Sequence, residues 1–117
     1  MKYYNDIAKQ LSFSLDLPLR EAQAIFAAGG KDFSKSRAGA YFKAESNERF
    51  LSMKLGLFAD WLYGVCCMKG IKIEKPSDVN GVLGILEMLL DGLKFREGTE
   101  QPAQILDQLN DFSQRSE

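Results

Sequence analysis

Residues 29–43 read GGKDFSKSRAGAYFK. Two successive glycines stop a helix, because glycine takes the left-handed C-terminal conformation without steric cost. Ser34 then offers its hydroxyl to an unbonded backbone N–H at the start of a new helix. Phe33 before it and Ala38 after its first turn suit a hydrophobic staple. Ala38, Tyr41 and Phe42 fall on one face of a helix over about 35–44. The stretch is a helix stop, a turn and a short basic helix. It places the chain among folds in which helices pack on helices.

Helical periodicity continues on both sides. Tyr4, Ile7, Ala8, Leu11 and Leu15 form one stripe and predict a helix over about 4–15. Pro18 suits the first turn of a second helix with Ala22, Ile25 and Phe26 inward, ended by Gly29 and Gly30. Downstream, Phe50, Met53, Leu57, Phe58, Trp61, Leu62 and Val65 predict a helix over about 50–69, with Gly70 as its stop. Val79, Val82, Leu83, Leu86, Leu89, Leu90 and Leu93 recur at nearly 3.5 residues per turn and predict a helix over about 78–96. Pro102 opens a last one, with Ile105, Leu106, Leu109 and Phe112 on one side. The link IKIEKPSDVN between the two long helices has room for a short extended piece, but no strand is expected. The expectation is all-α: a compact bundle of about six helices in a single domain over 1–117, its N-terminal half helix-turn-helix-like. Trp61, Phe58, Leu57, Ile25 and Phe42 should be buried together.

Composition narrows the chemistry. The chain has 117 residues, 45% apolar and 26% charged, as a globular domain does. Its net charge of −1 excludes a surface basic throughout. No apolar run approaches the ~20 residues of a bilayer span, and the start MKYYNDIAKQ is too polar for a signal peptide, so a cytoplasmic protein is expected. The chain has no histidine. That removes the commonest general base, the histidine-activated nucleophiles and most zinc sites. The expectation is a protein that is not an enzyme, with no cofactor and no metal. Cys66 and Cys67 are adjacent, so on a helix they point about 100° apart and do not bridge; two reduced, buried thiols are expected.

Residues 5–70 carry NDI at 5–7, FSLDL at 13–17, IFAAGG at 25–30, FSKSRAGAYFKAE at 33–45 and FADWLYG at 58–64. In order and spacing these pieces resemble the YehS-like family of uncharacterised bacterial proteins, built on a domain of unknown function. The resemblance implies a small helical domain. It implies no established activity and no functional residues. Family members usually carry the unit twice. Here residues 71–117 do not repeat it and read as a divergent C-terminal helical half.

Two functional readings stand open. The first is a non-catalytic domain acting through protein–protein contact, with a partner or with a second copy of itself as a dimer. Its interface would be the leucine-rich face Val82, Leu86, Leu89, Leu90 and Leu93, with Gly81 and Gly84 allowing a close approach. The second is a helix-turn-helix nucleic-acid binder. Residues 31–43 hold Lys31, Lys35, Arg37 and Lys43 against Asp32. Lys31, Ser34, Lys35, Ser36, Arg37 and Lys43 would then meet phosphates and base edges.

Overall fold

The computed structural model describes residues 3–92. These residues form five α-helices and one short 3-10 turn, with no strand among them. The helices are α1 (Tyr3–Ser14), α2 (Ala22–Ala28), α3 (Lys35–Ala40), α4 (Leu55–Met68) and α5 (Val79–Gly92), and the turn is Leu19–Glu21. The all-α expectation holds. The helix foreseen from Pro102 lies outside the described residues.

The centre of the domain is α4. It is apolar on nearly every side, and from Phe58 to Cys66 only Tyr63 is not buried. A helix apolar all round belongs in a core. α1, α2 and α5 pack on it, and Ile7, Ala8 and Leu11 of α1, Ile25 and Phe26 of α2, and Val82, Leu86 and Leu89 of α5 share one buried cluster with it. Trp61, Phe58 and Ile25 are buried together as expected, whereas Leu57 and Phe42 are half-buried against them.

Three helices end in the same way. After α1, the Leu17 N–H donates to the Ser12 carbonyl (2.7 Å) and the Asp16 N–H to that of Phe13 (3.2 Å). After α2, Lys31 and Gly30 donate to Phe26 (2.8 Å) and Ala27 (3.0 Å). After α4, Ile71 and Gly70 donate to Cys66 (2.8 Å) and Cys67 (3.1 Å). This is the Schellman pairing, which needs a left-handed residue just past the helix. Gly30 (φ 95°) and Gly70 (φ 74°) supply it, and after α1 Asp16 does so at φ 56°. Aspartate tolerates that region better than most side chains do, though less well than glycine.

Gly29 has a different task from its neighbour. A Cβ there would lie 2.0 Å from the Asp60 carbonyl oxygen of α4. A Cβ on Gly64 would lie 2.0 Å from the Ile25 carbonyl oxygen of α2. The two helices cross backbone to backbone, and each glycine clears room for the other chain. Of the pair Gly29-Gly30, one allows the crossing and the other ends the helix.

The predicted helix 50–69 begins five residues late. Phe50 and Met53 lie in irregular chain ahead of α4, and Met53 is buried there without helical geometry. The reason is Asn5, wholly buried in α1. Its Nδ2 donates to the carbonyls of Tyr41 (2.7 Å) and Leu51 (2.9 Å), and its Oδ1 accepts from the Met53 N–H (2.8 Å). One amide satisfies three backbone groups at the two ends of the 41–53 loop, where it meets the core. The Leu51 N–H also donates to the Ala40 carbonyl (3.2 Å). These bonds hold the chain at Leu51 and Met53 outside helical pairing, and the helix starts only at Leu55.

Two shorter differences follow from local geometry. α3 stops at Ala40, four residues before the expected end, because the chain turns at Tyr41 and Phe42 and sets both rings against Phe26, Tyr41 buried and Phe42 half-buried. Cys67 is exposed while Cys66 is buried, as two adjacent residues on a half-covered helix end must be. Both thiols are unbridged.

Candidate functional site

Ser34 caps α3 as its sequence implies, its hydroxyl accepting from the Arg37 N–H (3.1 Å). Lys35, Ser36 and Arg37 project from this cap into solvent. Behind them stands an aromatic cluster that fixes the corner. Phe33 stacks on Tyr41 (5.8 Å, 26°) and meets Phe26 edge-on at 5.2 Å. Arg37 lies over the Phe33 ring with its guanidinium carbon 4.8 Å from the centroid.

The basic residues of this segment do not act alike. Lys31 reaches back to Asp60 of α4 (3.5 Å). Lys75, from the α4–α5 link, meets the other oxygen of the same carboxylate at 2.7 Å and donates to the Gly29 carbonyl (3.2 Å). Asp60 is thereby held by cations from two distant segments, as a largely buried carboxylate requires. Lys75 ties the link before α5 to the end of α2. Lys43 is half-buried, and its carbonyl accepts from Lys9 (3.0 Å). Among the described residues Arg37 has no carboxylate within ion-pair distance.

Between this corner and the first turn of α4 lies a cleft of about 610 Å³. Its lining includes Lys31, Phe33 and Arg37 from the corner, Leu55, Gly56, Leu57 and Asp60 from α4, and Pro76 and Ser77 from the link before α5. α4 starts after Lys54 with no side-chain cap.

The connection from α2 to α3 runs over the six residues 29–34, and α3 itself has six residues. A helix-turn-helix joins its helices by three or four residues and lays a recognition helix in the groove. The corner shares the order of that motif but not its turn length.

The leucine face of α5 has a different destination. Val82, Leu86 and Leu89 are fully buried in this domain's own core. Leu90 and Leu93 lie outside the part described in side-chain detail. The solvent side of α5 shows Gly84, Glu87 and Met88 instead. Of the two glycines proposed for close approach, Gly81 faces Pro76 of its own link, where an added Cβ would come within 3.2 Å, and Gly84 faces open space.

Exposed apolar surface gathers elsewhere, at the end of α1. Phe13 and Leu19 are each 53% exposed. With Leu17 and Pro18 they line a groove of about 510 Å³, whose polar wall is Lys9, Ser12 and Asp16. The Schellman turn builds it, since the reversal at Asp16 brings Leu17–Leu19 back beside the last turn of α1. These residues sit in the FSLDLPL stretch, where a stripe reading credits Leu15 to the core and passes over Phe13, which is off the stripe.

Two titrating groups are shifted by burial. The Cys66 thiol is pushed up to about 11, chiefly by desolvation and secondly by Cys67 beside it. The Tyr4 phenol is raised by desolvation as well. Both shifts favour the neutral form, which suits core residues and does not activate a nucleophile. Among the described residues no cluster of three His, Cys, Asp or Glu side chains is placed to hold a metal, and no helix is long and apolar enough to cross a membrane. Comparison with family models, curated proteins and solved structures gives no match for this chain.

Proposed function

We propose that this chain is a non-catalytic binding domain that docks a protein partner on the apolar groove at the end of α1. The observation that carries the reading is the pair Phe13 and Leu19, two large apolar side chains each more than half exposed on either side of one groove. Interface anchors are aromatic or aliphatic residues set beside a pocket, rimmed by polar groups. Lys9, Ser12 and Asp16 provide such a rim. α5 supports this role from within: its Val82, Leu86 and Leu89 belong to the core, so the docking face is sought where large apolar side chains are more than half exposed. The resemblance of residues 5–70 to YehS-like proteins is in keeping with a small helical domain of this kind. The nucleic-acid reading draws less support, because the turn before α3 is long for the motif and Lys31 is engaged by Asp60.

The test is affinity capture from the native cell lysate with the parent and with the double variant Phe13→Ser plus Leu19→Ser. Both positions are exposed, so the variant should keep its melting temperature. A partner captured by the parent at low and high salt, with and without nuclease, and lost by the double variant is the expected result. An apolar contact is nearly indifferent to salt, whereas phosphate contacts weaken steeply with it. Identical capture by both proteins would refute the groove as the docking face.

A further inference from the structure

We propose that the cleft between the Phe33–Arg37 corner and the first turn of α4 binds a small ligand through a phosphate group, with Arg37 as its anchor. The site is separate from the partner groove, and no residue lines both. Its volume, about 610 Å³, falls within the roughly 300–1,000 Å³ of small-molecule sites.

The charge balance of the cleft selects an anion. Asp60 is the acid of its lining, and that carboxylate already has Lys31 and Lys75 against it. Among the described residues Arg37 is the cation of the lining left without a carboxylate. Its guanidinium is not loose: it rests on the Phe33 ring, itself stacked on Tyr41. A planar donor fork held against an aromatic face loses little freedom when an oxyanion takes its N–H groups, and phosphate matches that fork in two-pronged fashion.

The opposite wall is open to such a group. A Cβ built on Gly56 would meet nothing within 4 Å, so ligand atoms can come close to the backbone there. The uncapped start of α4 adds positive potential from that side, as a contributor to the anchor and not a site in itself. A small ligand is favoured over a long polyanion. The chain's net charge is −1, which disfavours a long polyanion.

The experiment is amide and arginine side-chain NMR of the full chain in a phosphate-free buffer. It is titrated in turn with inorganic phosphate, a nucleoside monophosphate and a mixed-sequence single-stranded oligonucleotide. Phosphate should shift Gly56 and the Arg37 side chain in a saturable way. If the ligand body also uses the cleft, the nucleoside monophosphate should bind more tightly than phosphate and add shifts at Leu55 and Leu57. Arg37→Ala should weaken phosphate binding at least tenfold with an unchanged melting temperature. Lys35→Ala, two residues away and outside the cleft, should leave it within twofold. Equal losses in the two variants would mean diffuse surface charge and overturn the proposal. So would the absence of saturable shifts at Gly56 and Arg37. Oligonucleotide binding that spreads over Lys35, Ser36 and Lys43 and exceeds that of the monophosphate would overturn it in favour of nucleic acid.

Discussion

Gly64→Ala is the most demanding test of the fold. The new Cβ would lie 2.0 Å from the Ile25 carbonyl oxygen and 3.1 Å from the Gly29 nitrogen. An ordinary contact begins at 3.4 Å, so α2 and α4 must part by about 1.4 Å. The atom in the way is backbone, and no rotamer change removes it. A gap of even ~0.5–1 Å forfeits a quarter to a half of the dispersion attraction between the surfaces that open. Those surfaces include Ile25, Phe26, Trp61, Leu62 and Val65, which are the middle of the core. Overpacking typically costs about 1–3 kcal/mol and more where backbone must move. Against it stands a helix-propensity gain of about 1 kcal/mol for alanine over glycine. Backbone in the way puts the cost in the upper part of the overpacking range, so the net expectation is a loss of about 1–2 kcal/mol out of the ~5–15 kcal/mol that holds a domain folded. By thermal melting this is a drop of roughly 4–8 °C. The control is Gly84→Ala in α5, where the new Cβ meets nothing within 4 Å. There the propensity gain acts alone and the melting temperature should rise. A Gly64→Ala protein that melts at or above the parent temperature would refute the backbone-to-backbone crossing.

Asn5→Ala strands two carbonyls and one N–H of the 41–53 loop and should cost on the order of 3 kcal/mol by denaturant unfolding; a change under about 1 kcal/mol would show that water replaces the amide without penalty. Asn5→Asp keeps the acceptor for Met53 but turns an anion toward two carbonyls, which raises its pKa in the folded state. The folded protein then binds more protons than the unfolded one, so this variant should gain stability relative to the parent as pH falls, and a flat pH dependence would count against the assigned bonds. In the native protein at neutral pH, iodoacetamide should label Cys67 and spare Cys66, whose thiol is buried and pushed up to about 11; one added group by mass, becoming two after denaturation, is the expected pattern. Asp16→Gly relieves a side chain held at φ 56° and should stabilise by about 1 kcal/mol, read as a higher melting temperature; a loss would mean that the aspartate's own contacts outweigh the relief.

What the sequence reveals and what it hides divide along the range of the interaction. Periodicity is local, and it places the inner faces of α1, α2, α4 and α5 correctly, because a helix must bury its apolar stripe whatever its neighbours are. Caps are local too. Ser34, Gly30 and Gly70 each perform the role their residue types imply, within three to five residues of the bond they make. The start of α4 fails this reading for a reason equally physical. Phe50 and Met53 continue the helical spacing, but their backbone is claimed by Asn5 and Ala40, and nothing in a short window separates an apolar residue buried by a helix from one buried by a loop. The functional residues suffer most from that blindness. Lys31 looks like the first residue of a basic patch until Asp60, twenty-nine positions later, is found beside it. Val82, Leu86 and Leu89 of α5 look like surplus until the core they share with α4 is seen. Conversely, Phe13 falls off the stripe of α1 and so attracts no notice, although being off the stripe is what leaves it exposed. A charge or an apolar side chain takes part in binding only if the fold leaves it accessible. Among the described residues the Arg37 cleft and the Phe13–Leu19 groove meet that condition, and the two can be tested independently because they share no lining residue.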